Sequence, residues 1–189
     1  MTFKYFAYGS NMLSTRLLAR CKSAEFLSVA QARGFRVEFT KESKDGSGKA
    51  TLTRATPTDC TEGVLFEIDV GERETLDRFE EVGTGYDRID NFRVETDAGP
   101  IMATTYMAKT RVRSLCPYDW YLALVIAGAV ENSICDSYVE TLRAHDYVPD
   151  PVQDRLTRGA GVIALQAAGY HDFRVLLSVS LSDGQCHLK

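Results

Sequence analysis

One segment constrains the fold more than any other part of the sequence. From Trp120 to Val130 the chain is continuously apolar, and Pro117 stands just before this run, where proline favours a helix start. The pattern predicts a helix from Pro117 to Glu131 that is apolar all round, so each of its faces needs a packing partner. The run is too short to cross a bilayer, which requires about 18 apolar residues. We therefore expect a fully buried core helix.

The rest of the chain alternates short strand-like and helical stretches, which predicts one α+β domain. The polar, glycine-rich segment 41–48 is expected to be an exposed loop. In the tail, a helix ending near Ala168 and a strand over Phe173–Leu181 are expected. The other predicted strands cover residues 3–7, 26–32, 34–40, 49–55 and 63–68, with a hairpin of 86–95 and 101–107, and the other predicted helices cover 14–20, 72–81 and 136–144.

Composition removes several classes of function. The chain has a net charge of −4 and no basic run, which argues against nucleic acid as a partner. The 5 Cys and 3 His form no metal-binding spacing and no Cys-x-x-Cys motif, so neither a metal nor another cofactor is expected. Scattered reduced thiols, together with no targeting or membrane segment, predict a cytoplasmic protein with no membrane partner. Hydroxyls, backbone amides and carboxylates remain as chemical groups.

The first candidate site is the turn Tyr8-Gly9-Ser10-Asn11, between the first predicted strand and helix. A glycine-bearing turn at a helix start presents unpaired N–H groups that suit a carboxylate or a phosphate. The alternative interpretation is a tight turn in which Ser10, Asn11 or Ser14 caps the helix. Both interpretations fit the residues.

The second candidate is Glu80. In a helix over 72–81, Leu76, Phe79 and Glu80 fall within a sector of about 100°, and Glu81 points outside it. A carboxylate held on an apolar face is suited to general acid and base catalysis. The alternative is that Glu80 lies at the rim with its carboxylate in water. The glycines of Gly83-Thr84-Gly85 would allow a substrate to approach closely.

Three segments, in the same order along the chain, resemble the gamma-glutamylcyclotransferase-like family. The first is Tyr5-Phe6-Ala7-Tyr8-Gly9-Ser10-Asn11-Met12, and the second runs from Leu76 through Glu80 to Tyr86. The third begins at Tyr121, includes Gly128-Ala129-Val130-Glu131-Asn132 and ends at Asp146-Tyr147. Together they span roughly residues 3–148.

This resemblance implies a small mixed β-barrel with packed helices and a site at the barrel mouth. Residues 1–154 would form the catalytic domain, and 155–189 a C-terminal extension without an assigned role. The implied reaction converts a γ-glutamyl amide to 5-oxoproline and a free amine, with the substrate's α-amine as nucleophile and no cofactor. Glu80 would be the general acid and base, and the substrate-binding residues would be Tyr8, Gly9, Ser10, Asn11, Met12, Leu13 and Tyr121.

Two points stay open. Glu81 occupies the position where the family usually has glycine after its catalytic glutamate, which adds a second acid beside the site. The family's branches act on γ-glutamyl amino acids, γ-glutamyl-ε-lysine, glutathione and biosynthetic intermediates, and the motifs do not separate them.

The partner is expected to be a small γ-glutamyl molecule, and a homodimer is left open. The alternative function is a non-catalytic binding module for a γ-glutamyl or other acidic metabolite.

Overall fold

The computed structural model describes residues 1–178, and its centre is a closed barrel of five strands. The strands neighbour one another in the order β1, β5, β2, β6, β7, and β7 closes the barrel by pairing in parallel with β1 at Thr104 and Tyr5. The other barrel pairs are antiparallel. The predicted α+β barrel is thus confirmed. The barrel strands are β1 (Thr2–Ala7), β2 (Glu25–Arg33), β5 (Cys60–Asp69), β6 (Tyr86–Thr96) and β7 (Gly99–Ala108).

Strands β3 (Phe35–Glu42) and β4 (Gly48–Arg54) form a separate hairpin. The expectation of an exposed loop over 41–48 is wrong in part, because Lys41 belongs to β3 and Lys41, Ser47 and Gly48 are buried. The pairing of the two strands shifts register between Glu38 and Lys41. Such a bulge changes the direction in which nearby side chains point.

The apolar segment forms helix α3 (Asp119–Glu131), which begins at Asp119 because Tyr118 is still extended. Every residue from Asp119 to Ala129 is buried, as the sequence predicts. Four elements pack on this helix: the 3-10 turns Ser10–Met12 and Phe173–Leu177, and helices α4 (Asp136–Arg143) and α5 (Leu156–Ala167). Within residues 1–178 no helix, α3 included, is long and apolar enough to cross a membrane.

Glycine at position 128 brings α3 against the chain that follows β1. A Cβ on Gly128 would lie 2.5 Å from the backbone nitrogen of Leu13 and 2.6 Å from Met12 Cβ, which no real side chain tolerates. Asn132, just after the helix, donates from Nδ2 to the carbonyl of Met12 at 3.0 Å. These contacts hold the turn after β1, and the short helix α1 (Ser14–Leu18) beyond it, on a rigid support.

Helix α2 (Arg73–Phe79) is shorter than the predicted span of 72–81. It follows a 3-10 turn at Val70–Glu72, and it ends because Glu81 has a φ of 51°, outside the helical region. Phe79 is 51% exposed while Leu76 is fully buried, so the expected common apolar face of Leu76, Phe79 and Glu80 is wrong. Glu80 lies at the C-cap, which directs its side chain independently of the helical spacing.

The tail contains the expected helix, α5, and its Gly161 lies directly against Trp120 of α3. Residues Phe173–Leu177 form a 3-10 turn instead of the predicted strand. The Asp172 side chain accepts from the backbone of Arg174 at 3.1 Å and starts this turn, which buries Phe173, Leu176 and Leu177. The remainder of the predicted strand, 179–181, lies outside the described residues. The domain division after residue 154 stays a prediction.

Candidate active site

A cavity of about 30 Å³ lies between the turn after β1 and the end of α2. That volume holds roughly one or two water molecules, so only a small chemical group reaches its end. Its lining is unusually rich in hydroxyl groups, because five tyrosines from separate elements converge on it. The lining residues are Tyr5, Tyr8, Gly9, Ser10, Asn11, Ala50, Glu80, Tyr86, Tyr106 and Tyr121.

Glu80 is the carboxylate of this cavity, and its side chain is only 14% exposed. Its Oε1 accepts from Asn11 Nδ2 at 2.9 Å and from Arg20 Nη1 at 3.2 Å. Its Oε2 has no hydrogen-bond partner within residues 1–178. One oxygen therefore fixes the carboxylate, and the other is free to exchange a proton with a ligand.

Asn11 is hydrogen-bonded to Glu80 and also to two neighbouring side chains, Tyr5 and Arg20. Its Nδ2 donates to Tyr5 Oη at 3.0 Å as well as to Glu80, and its Oδ1 accepts from Arg20 Nη1 at 3.0 Å. Asn11 lies in the 3-10 turn supported by α3 and is buried. Because its amide is fully used in this network, Asn11 orients Glu80, whereas the sequence reading assigned it only to substrate binding.

Three of the tyrosine hydroxyls donate within the protein. Tyr8 Oη donates to the carbonyl of Tyr106, and Tyr86 Oη donates to the carbonyl of Ala50 at 2.8 Å. Tyr106 Oη donates to Asp77 Oδ1 at 2.8 Å. Burial raises the pKa of Tyr8, Tyr86 and Tyr106 above the ordinary phenol value. These hydroxyls therefore stay protonated and stiffen the cavity wall.

Tyr5 and Tyr121 differ, because the hydrogen bonds of their hydroxyls are accepted ones. Tyr5 Oη accepts from Asn11, and Tyr121 Oη accepts from the backbone nitrogen of Ala50 at 3.1 Å. Burial raises the pKa of both Tyr5 and Tyr121, so their protons are retained. These two hydroxyl protons remain available to a ligand in the cavity.

The turn after β1 also offers backbone donors. The N–H groups of Gly9, Ser10 and Asn11 bond to nothing else in residues 1–178. Gly9 packs closely on the hairpin, since a Cβ there would lie 3.1 Å from Ala50 Cβ. Three adjacent free N–H groups on a supported turn can stabilise a negatively charged oxygen.

The alternative interpretation of this turn as a helix cap is not supported. Neither the 3-10 turn Ser10–Met12 nor α1 has a side-chain cap. Ser10 Oγ instead accepts from Arg16 Nε at 3.0 Å, and the backbone of Ser14 donates to Glu131 Oε2 at 2.7 Å. The polar side chains of the turn are therefore directed to the cavity and its surroundings.

The structure brings six of the eight predicted site residues to this cavity. The other two, Met12 and Leu13, have fully buried side chains that do not line the cavity, and their assignment to substrate binding stays a prediction. They lie against Gly128, so their contribution is to anchor the turn. The six that line the cavity are Tyr8, Gly9, Ser10, Asn11, Glu80 and Tyr121.

Sequence reasoning missed several lining residues, among them Tyr5, Ala50, Tyr86 and Tyr106, and also Arg20, which contacts Glu80. They come from strands of the barrel and of the hairpin and from the turn after α1, so only the tertiary fold brings them together. Only Tyr5 and Tyr86 carried a usable signal, because both lie within the segments that resemble the family. Nothing in the spacing of the others marks them.

A second, wider pocket of about 440 Å³ adjoins the cavity, and it shares Ser10, Glu80, Tyr86 and Tyr121 with it. We call it the outer pocket and the first the inner cavity. The N-terminal residues of α5 form part of its wall. Its character is basic, since six cationic side chains line it: Arg16, Arg20, Lys41, Lys44, Lys49 and Arg155.

The side chain of Lys49 is largely buried in the wall of this pocket. It donates to Asp45 Oδ2 at 2.9 Å and to Ser47 Oγ at 2.7 Å, and it lies 4.5 Å from the ring centroid of Tyr121. Burial outweighs the attraction of Asp45 and lowers the pKa of Lys49 to about 8. Lys49 is therefore cationic at neutral pH and loses its charge in mildly alkaline solution.

Comparison with known proteins agrees with this architecture. The model of the AIG2-like family matches residues 61–142. Gamma-glutamylcyclotransferase of Homo sapiens is 30% identical over 168 residues, and that of Bos taurus is 31% identical over 170 residues. Both alignments cover 84% of this chain and 89% of the relative. A solved gamma-glutamyl cyclotransferase structure superposes with a TM-score of 0.77 at 29% identity, covering 88% of this chain and 99% of its own.

A closed barrel with packed helices, and a cavity that holds a carboxylate at the turn after β1, define a small barrel enzyme with a concave site. The chain belongs to the gamma-glutamylcyclotransferase family.

Proposed function

We propose that this enzyme converts a γ-glutamyl amide, of an amino acid or another amine, to 5-oxoproline and the free amine, with Glu80 as general acid and base. The observation that carries the proposal is the state of the Glu80 carboxylate. Asn11 and Arg20 fix its Oε1, and its Oε2 is unpaired within residues 1–178 beside a cavity of donors. The reaction needs one such group, because the substrate supplies its own nucleophile.

In the proposed reaction the α-amine nitrogen of the glutamyl group attacks its own γ-carbonyl carbon, and the carbon–nitrogen bond of the amide breaks. Glu80 Oε2 takes a proton from the attacking nitrogen and gives one to the departing nitrogen. The proton count closes, so the carboxylate returns to its starting state. No covalent bond to the protein forms.

The other polar groups of the inner cavity support this chemistry. The free N–H groups of Gly9, Ser10 and Asn11 can bind a carboxylate or the oxygen that becomes negative during attack. The hydroxyl protons of Tyr5 and Tyr121 can donate to the same ligand. Folding a flexible glutamyl chain so that its two ends meet is largely an effect of orientation, which fixed hydrogen-bond donors at the inner end of the site favour.

The test measures 5-oxoproline released from γ-glutamyl-alanine, γ-glutamyl-ε-lysine and glutathione. Wild-type protein is expected to release it from at least one, and Glu80→Gln is expected to reduce turnover by about 10²- to 10⁴-fold. Glu74→Gln removes an exposed carboxylate from α2 and serves as the matched control. Undiminished turnover by Glu80→Gln would remove the assignment of Glu80. No turnover of any substrate, with tight binding of 5-oxoproline, would favour a binding module instead.

A further inference from the structure

The outer pocket carries more positive charge than its surroundings neutralise, although the chain as a whole has a net charge of −4. Within residues 1–178, six cationic side chains line it, and only four carboxylates form ion pairs with them. The pairs are Arg20 with Glu80, Lys49 with Asp45, Arg155 with Asp150, and both Lys41 and Lys44 with Glu81.

Arg16 is the first source of the excess. Its Nε donates to Ser10 Oγ at 3.0 Å, but within residues 1–178 its two terminal nitrogens have no hydrogen-bond partner and no carboxylate. Burial and the nearby charge of Arg20 lower the pKa of Arg16, and the guanidinium remains cationic at neutral pH. A partly buried guanidinium without an anion is costly, and a ligand carboxylate would relieve that cost by a forked contact.

The second source of excess positive charge is a pair of lysines, Lys41 and Lys44, that share the carboxylate of Glu81. Its Oε2 lies 3.3 Å from Lys41 Nζ, and its Oε1 pairs with Lys44. One carboxylate thus serves two ammonium groups. Glu81 has a φ of 51°, a conformation that glycine adopts without strain. The chain therefore accepts backbone strain to place a side chain that draws two lysines to the pocket.

We propose that the outer pocket selects γ-glutamyl compounds whose released amine carries two carboxylates, as glutamate does, with one bound by Arg16 and the other by Lys41 and Lys44. This inference rests on the proposed function. Arg16 comes from α1 and Lys41 from β3, so the two cationic centres are on different walls. Two separate charges on the ligand match that arrangement better than one. The volume of about 440 Å³ has room for an amino acid beyond the glutamyl group.

The first experiment compares three substrates that share the glutamyl group. They are γ-glutamyl-glutamate, whose released amine has two carboxylates, its isostere γ-glutamyl-glutamine, whose released amine has one, and γ-glutamylethylamide, whose released amine has none. Each lost carboxylate contact is expected to lower kcat/KM about tenfold, so the order should be glutamate, glutamine, ethylamide. Equal kcat/KM for the glutamate and glutamine compounds would overturn the proposal and leave the proposed function intact.

Variants assign the two charges to their binding sites. Arg16→Gln and Lys41→Met should each reduce the preference of γ-glutamyl-glutamate over γ-glutamylethylamide about tenfold. Lys22→Met removes an equal charge from an exposed position outside the pocket and should leave it unchanged. Loss of preference in Lys22→Met equal to that in Arg16→Gln would show only an effect of total charge and would overturn the assignment.

A binding measurement separates this proposal from the proposed reaction. Calorimetry with Glu80→Gln compares the affinities of γ-glutamyl-glutamate and γ-glutamyl-glutamine without requiring turnover. An affinity about tenfold higher for the glutamate compound supports the acidic subsite even if no 5-oxoproline forms with the wild-type protein. Equal affinities overturn it.

Discussion

The inner cavity and the outer pocket meet at Glu80, but they differ in the side chains that line them and in how those side chains are held. In the inner cavity, tyrosine hydroxyls bond to the backbone of the barrel and hairpin or to neighbouring side chains, and α3 supports the turn that carries Asn11. In the outer pocket, long cationic side chains from the hairpin, α1 and the start of α5 surround a larger space. The hydrogen-bonded wall of the inner cavity suits the ring-closing step, which is common to all substrates. The cationic side chains of the outer pocket suit discrimination among leaving groups.

The strongest test of this division is at Asn11. Asn11→Leu keeps the side-chain volume but removes the hydrogen bonds to Glu80, Tyr5 and Arg20. We expect kcat to fall on the order of 100-fold for every substrate, because the carboxylate loses its orientation, while KM changes less than about threefold. Steady-state kinetics on the glutamate, glutamine and ethylamide compounds measures the split. A rise in KM confined to the acidic substrate would contradict the separation of the two regions.

A smaller effect is expected at Tyr121. Tyr121→Phe leaves the backbone N–H of Ala50 without its acceptor and removes a hydroxyl proton from the cavity. We expect kcat/KM to fall about tenfold equally for all substrates, and the free energy of unfolding to fall by about 1 kcal/mol. Thermal and denaturant unfolding check the second value.

Tyr138→Phe is the matched control for this change. Tyr138 is buried, its hydroxyl has no partner within residues 1–178, and it lies outside both regions. Its removal should alter the free energy of unfolding by less than about 0.5 kcal/mol, because no hydrogen bond is lost. A larger loss of activity in Tyr138→Phe than in Tyr121→Phe would contradict the proposed contribution of the Tyr121 hydroxyl to activity.

The smallest expected effect is a pH dependence of substrate preference, which arises from the charge of Lys49 in the outer pocket. Asp45 faces Lys49, and the charges of Arg16 and Lys41 lie near it, while burial keeps the pKa of Lys49 at about 8. Below that pH the lysine is cationic, and above it the lysine is neutral. The ratio of kcat/KM for γ-glutamyl-glutamate to that for γ-glutamyl-glutamine should therefore fall about twofold between roughly pH 7 and 8.5, below the range in which Arg16 begins to lose its charge.

Taking this ratio cancels the ionisation of the α-amine, which both substrates share. Lys49→Met should show a lower ratio at neutral pH and no change near pH 8. A ratio that falls equally in Lys49→Met would assign the dependence to another group.

The two regions also differ in how far the sequence predicted them. The turn at Tyr8–Asn11 and the carboxylate of Glu80 were identified because a polar break and a misplaced acid are local features. The sequence pattern singles out Glu80 by a helical geometry that the structure contradicts, since α2 ends at Phe79 and Phe79 is exposed. The barrel itself followed from the family resemblance, because no local pattern specifies how β7 pairs with β1.

The outer pocket was not predicted at all. The sequence pattern places Lys41 in an exposed loop, Lys49 in a strand and Arg16 in a short helix, and nothing in their spacing relates them. Lys41 follows a bulge in β3 and pairs with Glu81, which comes from a different part of the chain. Such features depend on tertiary contacts between segments far apart in sequence, so single-sequence patterns do not contain them.

The start of α5 has a consequence for how such an enzyme can diversify. Arg155, Leu156 and Thr157 form part of the outer pocket, but they belong to the chain after the barrel is complete. Insertions or exchanges there can reshape the wall without disturbing a barrel strand or the turn that carries Asn11. For protein engineering, this makes residues 155–157 a natural first place to build libraries that aim at new leaving groups.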